Sequence, residues 1–129
     1  MKTLKQVRAE FYNALTNDTD LTALVGDRVY WLNRPTVENT FPMITYQYFD
    51  TVGEYTFNPT GVNRAADDII FQTNIYVNVD DIDGMHDIME RLKVILNGLG
   101  YMNINSPITF FEEDINKNVK PMRWESFNV

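Results

Sequence analysis

The chain has 129 residues, no cysteine, 44% hydrophobic and 13% aromatic content, and a formal net charge of −7. Such a chain is long enough to bury one core without staples, which excludes a disulfide scaffold, a thiolate metal site and a disordered polymer, and its lack of thiols fits a reducing compartment or a particle assembled in one. The eleven basic residues are scattered rather than clustered, which argues against binding driven by counterion release from a phosphate backbone, and no apolar run is long enough to span a bilayer.

Between Thr3 and Thr16, Leu4, Val7, Phe11, Ala14 and Leu15 recur at helical spacing, with Lys5, Arg8 and Glu10 off the stripe. This predicts an amphipathic helix. The same stretch lacks the uninterrupted apolar region of a signal peptide. Asn17 and Asp18 break the helix, and Asp18 is placed to cap a short second one. There Leu21, Leu24 and Val25 face inward and Gly26 supplies a left-handed stop. Asp27 to Leu32 reads as a short strand with Val29 and Trp31 on one side and Arg28 and Tyr30 on the other.

Asn33 to Phe41 is a loop punctuated by Pro35. Met43 to Phe49 then forms a strand of β-branched and aromatic residues, with Ile44, Tyr46 and Tyr48 on one face and Met43, Thr45, Gln47 and Phe49 on the other. Asp50 to Asp67 contains Gly53, Pro59 and Gly61 as breakers. Its first part, Glu54 to Phe57, extends the strand or starts a hairpin, and the rest is a long mobile loop of the kind that carries function.

The most informative segment runs from Asp68 to Val79. Ile69, Phe71, Thr73, Ile75, Val77 and Val79 alternate with Ile70, Gln72, Asn74, Tyr76 and Asn78. A period of two kept this long means a strand whose first face meets a core. The second face carries amides and a tyrosine rather than charge, which suits partial cover by another subunit.

Met85, Ile88, Met89, Leu92, Ile95, Leu96 and Leu99 mark a helix about 24 Å long, ended by Gly98 or Gly100. Pro107 opens a strand ITFFEED, and a turn around Asn116 to Asn118 leads into a final strand PMRWESF. The order α, α, β, β, β, α, β, β predicts a two-layer α+β domain spanning residues 1–129. Its β-sheet, antiparallel or mixed, is packed by the N-terminal helix and the one long helix. No repeat, low-complexity tract or linker interrupts it.

Four constellations invite chemistry. Asp81, Asp83 and Glu90 sit at calcium-loop spacing around Gly84, but Val79 occupies the first ligand position and a strand precedes the loop. Asp80, Asp81 and Asp83 are better explained as stabilising the positive end of the following helix. His86, the one histidine, lies a turn from Glu90 on the polar side of that helix with no nucleophile nearby in sequence. Glu112, Glu113 and Asp114 point to alternating faces of a strand end, which opposes convergence on a substrate. Tyr46, Tyr48, Tyr55, Phe57 and Tyr76 could stack bases, yet only Arg64 is close enough in sequence to support a nucleic-acid platform. Core packing and a protein interface account for them better. No catalytic, cofactor or metal residue is assigned, and the chain is expected not to be an enzyme.

An N-terminal amphipathic helix, the element D-x-x-L-x-x-L-V-G-x-R-V-Y from Asp18 to Tyr30, a strand opening F-P-M-I-T-Y, a long loop, FQTNIYV leading into a helix, and a terminal strand–acidic turn–aromatic strand together resemble the tail-completion proteins of long-tailed bacteriophages and prophages. These are also called tail-terminator or tail-to-head joining proteins. The resemblance implies a non-enzymatic ring, commonly a hexamer, at the head-proximal end of the tail within the virion, assembled in the bacterial cytoplasm. Its implied partners are copies of itself, the tail tube protein and the head connector or neck protein, with DNA passing through unbound. A closed ring joins one patch on each subunit to a different patch on the next. One patch is expected at Tyr55, Phe57, Asn58, Pro59 and Arg64, and another contact at Gln72, Asn74 and Tyr76. Two alternatives remain open: a neck or connector protein on the head side, and a small metal- or ligand-binding α+β domain.

Overall fold

The computed structural model describes residues 3–35, 40–51 and 69–126. A capping box opens the first helix: the Thr3 hydroxyl accepts from the Gln6 amide at 3.1 Å while Gln6 Oε1 accepts from the Thr3 amide at 2.8 Å. This helix, α1 (Leu4–Thr16), buries Val7, Phe11 and Leu15. Helix α2 (Thr19–Val25) starts at Asp18, whose carboxylate accepts from the Leu21 amide at 2.9 Å, and it buries Leu21 and Val25. Gly26 does end α2 with a positive φ of 61°, but its ψ of −136° is extended rather than left-handed helical. Either way the position favours a residue without a Cβ.

Strands β1 (Val29–Trp31), β2 (Met43–Thr51) and β3 (Ile69–Asn78) precede helix α3 (Ile82–Leu99). Strands β4 (Tyr101–Asn105), β5 (Phe110–Glu112) and β6 (Lys117–Ser126) follow it. The sheet order is β1-β2-β3-β6-β4, with β5 also paired to β6. Every pairing is antiparallel except β1 with β2. The fold is therefore α+β with a mixed sheet.

The alternation along β3 is realised in full, buried residues at 69, 71, 73, 75 and 77 interleaving with more exposed ones. Together with Ile44, Tyr46, Met122 and Trp124 they meet α1, α2 and α3 in one core cluster. At its centre the Phe11 ring stacks on Phe71 with centroids 4.0 Å apart, and Tyr101 meets Phe11 edge-on at 5.5 Å. Pairs of this kind add about 0.5–1.5 kcal/mol each beyond area burial. A guanidinium fork ties α3 to α2: Arg91 donates to both oxygens of Asp18, at 2.8 and 2.6 Å. Asp18 thus caps one helix and anchors another.

Four strands differ from the sequence reading. Strand β4 was not anticipated, because YMNIN is short and follows directly on Gly100, the left-handed residue (φ 104°) that ends α3. Strand β5 covers Phe110–Glu112 rather than all of ITFFEED. Strand β6 begins at Lys117, so the turn occupies residues 113–116, with Asn116 at a positive φ of 58°. Strand β2 continues past Phe49 to Thr51 through an irregularity between Tyr48 and Asp50. The expectations for Gly53 to Asp67 lie outside the described residues. No helix among the described residues is long and apolar enough to cross a membrane.

Candidate protein-interaction surface

All three helices pack against one face of the sheet. The opposite face has no described helix upon it. Directly opposed residues in antiparallel strands share a face, so the register writes its contents as rows. One row runs Met43, Tyr76, Val119, Phe110 across four strands. The next holds Thr45, Asn74 and Pro121, and the third Gln47, Gln72 and Arg123. A fourth holds Ile70, Glu125 and Met102.

The polar side chains of this face bond to one another. Arg123 Nε donates to Gln72 Oε1 at 3.0 Å, Gln72 Nε2 donates to Asn74 Oδ1 at 2.9 Å, and Asn74 Nδ2 donates to Thr45 Oγ1 at 3.2 Å. The guanidinium of Arg123 also lies 3.8 Å from the centroid of the Phe49 ring. The chain crosses β6, β3 and β2 and ties its members to one another. Amides held this way meet a partner already oriented, which reduces the ordering cost of association. Tyr76, Gln72 and Asn74 are half-buried, whereas Met43, Thr45 and Val119 on the same face are fully buried.

Pro121 explains the sheet's uneven margin. It has no amide proton, and it falls between the segment of β6 paired with β5 (Lys117 to Val119) and the segment paired with β4 (Arg123 to Ser126). Two short strands therefore serve the outer side of β6 instead of one continuous neighbour.

Gln72, Asn74 and Tyr76 are thus brought together as the sequence suggested. Tyr55, Phe57, Asn58, Pro59 and Arg64 lie outside the described residues. Arg123, Thr45 and Phe49 belong to the same surface and were not singled out from sequence, although the alternation of Pro121, Arg123 and Glu125 could have signalled them. Among the described residues, the aromatic side chains do not form one platform. Tyr46 and Tyr48 face the helices, where burial pushes the Tyr46 phenol up to about 12 and raises that of Tyr48, whose hydroxyl donates to the Leu4 carbonyl. Tyr76 faces the other way.

The acidic candidates take structural places. Asp81 caps α3 by accepting from the Gly84 amide at 3.1 Å, while Asp80 and Asp83 are exposed. No group of three or more histidine or carboxylate side chains is disposed to hold a metal among the described residues. His86 is exposed, and Glu90 is paired with Lys93 at 3.8 Å. Glu112 stands opposite Lys117 at the end of β5, with Glu113 and Asp114 exposed in the following turn. Comparison of the chain with protein-family profiles, with curated proteins and with solved structures returned no match.

Proposed function

We propose that this protein is a structural component of a long-tailed phage or prophage particle, a ring-forming subunit that caps the tail tube and joins the tail to the head connector. The observation that supports this most directly is the sheet face that carries no described helix, where Arg123, Gln72, Asn74 and Thr45 form a bonded chain beside the Met43–Tyr76–Val119–Phe110 row. Such a surface offers oriented amides and a large amphipathic aromatic to another protein, the composition of a contact patch. The sequence resemblance carries the rest: copies of itself, tail tube protein and connector as partners, a place at the head-proximal end of the tail, and no catalysis or cofactor. A net charge of −7 suits a ring through which DNA slides without sticking.

Deleting the gene in a phage that encodes it, followed by electron microscopy of the lysate, tests this reading. Full heads unattached to tails of abnormal length are the expected result. Heads that leak their DNA would move the protein to the head side of the junction, and intact infectious particles would overturn the proposal.

A further inference from the structure

We propose that copies of this chain associate edge to edge, the β4–β5 margin of one sheet docking on the β1 margin of the next. The inference rests on the assembly role above and names the surfaces that would serve it.

The first surface is the outer margin of β6. Ile108 is 84% exposed, and Phe110 and Phe111 on β5 are 45% and 47% exposed. Met102 and Ile104 on β4 are about half exposed as well. Sheet margins that remain in water are ordinarily short, charged or covered, because unpaired strand groups beside large apolar side chains recruit other chains. Here the strands are short but their side chains are apolar, which calls for a cover. The turn that follows adds a local charge: Glu112, Glu113 and Asp114 in succession, with Lys117 opposite Glu112.

The second surface has the complementary chemistry. Arg28 precedes β1, Arg34 follows it, and the guanidinium of Arg8 lies 4.7 Å from the centroid of the Trp31 ring. Lys5 is on the adjacent turn of α1. Arg28, Arg34 and Arg8, with Lys5 one turn from Arg8, therefore give this margin a basic excess over Asp27 in the same stretch of sequence. Leu32 follows β1 at a φ of 68°, a left-handed conformation that a residue with a Cβ rarely adopts. It is held there by its amide donating to the Tyr46 carbonyl at 2.9 Å, and its side chain is 48% exposed. Each margin therefore presents an apolar centre beside a charge excess, acidic in the turn after β5 despite Lys117 and basic around β1 despite Asp27, so the prevailing signs are opposite. They lie at opposite ends of the sheet order. A contact between unlike patches at opposite ends is heterologous, so it propagates from copy to copy and can close a ring.

The absence of native cysteine makes the test direct. Leu32→Cys and Phe110→Cys are made separately, both at exposed positions, and their folding is checked by circular dichroism. Each alone and an equimolar mixture are treated with a short bismaleimide and run on denaturing gels, beside sedimentation of the wild-type chain. The expected result is a cross-linked dimer in the mixture that neither variant gives alone. Glu113→Lys with Asp114→Lys in the Phe110→Cys background should reduce that dimer several-fold, and Arg34→Glu with Lys5→Glu in the Leu32→Cys partner should restore it. Dimers from either variant alone, with no gain on mixing, would overturn the head-to-tail arrangement. A wild-type oligomer without mixed cross-links would defeat the margin assignment and leave the assembly role standing. A wild-type chain that neither sediments above monomer nor cross-links would defeat self-association, with the joining role still decided by the gene deletion.

Discussion

Trp124 Nε1 donates to the Thr73 hydroxyl at 3.0 Å, and both side chains are fully buried on adjacent strands. Thr73 stands opposite Met122 in register, so the bond is a diagonal one, reaching two residues along β6. It accounts for a polar residue within the otherwise apolar face of β3. A buried indole needs a partner for its N–H, and the hydroxyl supplies it.

Replacing that hydroxyl tests the relationship. Thr73→Val keeps shape and β-branching but orphans the indole N–H in the core. Unfolding free energy in urea is expected to fall by about 1–3 kcal/mol, the penalty for a buried donor left unsatisfied. An unchanged midpoint would mean the bond contributes nothing net.

Asp18 gives a pH prediction. The Arg91 guanidinium bonded to it, aided by the Leu21 amide, holds its carboxyl below the usual 3.8 against the opposing effect of burial. A carboxylate with a depressed folded value stabilises the protein above the unfolded value and loses that contribution as pH falls through the folded one. Melting temperature followed downward through pH 3.8 should therefore drop more steeply in the wild type than in Asp18→Asn, which retains a capping side chain without the charge. Asp18→Ala also removes the cap of α2 and should cost about 1 kcal/mol at neutral pH.

Two glycines two residues apart should respond with opposite signs. Gly98 lies within α3, and a Cβ added there meets nothing within 4 Å. Gly98→Ala should stabilise by about 0.5 kcal/mol through helix propensity. Gly100 is left-handed at φ 104°, and Gly100→Ala should destabilise by about 1 kcal/mol or more. Chemical denaturation of the two variants side by side measures both.

The bonded chain on the sheet face turned away from the helices should behave as a unit. Arg123→Ala and Gln72→Ala each break the same 3.0 Å bond, so the double variant should lose less stability than the two losses added together, with a coupling of about 0.5–1 kcal/mol. On the joining role proposed above, both single variants should fold and yet complement a gene deletion less well than the wild type. Wild-type joining by both would remove this face from the assembly.

Periodicity carried much of the fold. The stripe of Val7, Phe11 and Leu15, the stripe of Met85, Ile88, Leu92 and Leu96, and the strict alternation from Ile69 to Val77 each follow from a local repeat that only one element satisfies. Capping was legible for the same reason: Asp18 and Gly100 act on their own or neighbouring turns, within reach of a sequence window. The amide face of β3 could be identified because its side-chain types were anomalous where they stood. Strand β4 escaped, since five residues with a bulge at Ile104 show no sustained alternation.

What no window could supply was adjacency between distant segments. That Arg123 bonds Gln72, that Arg91 locks Asp18 to a second helix, and that β1 runs parallel to β2 are consequences of sheet order and register. The same holds for the two margins of opposite charge. Arg28 and Glu113 have no relationship along the chain, and they become the ends of one sheet because β6 inserts between β3 and β4. Local sequence determined which residues would be buried and in which kind of element. Long-range pairing alone decided which exposed residues would share a surface, because side chains far apart along the backbone become neighbours through the strand hydrogen bonds that close the fold.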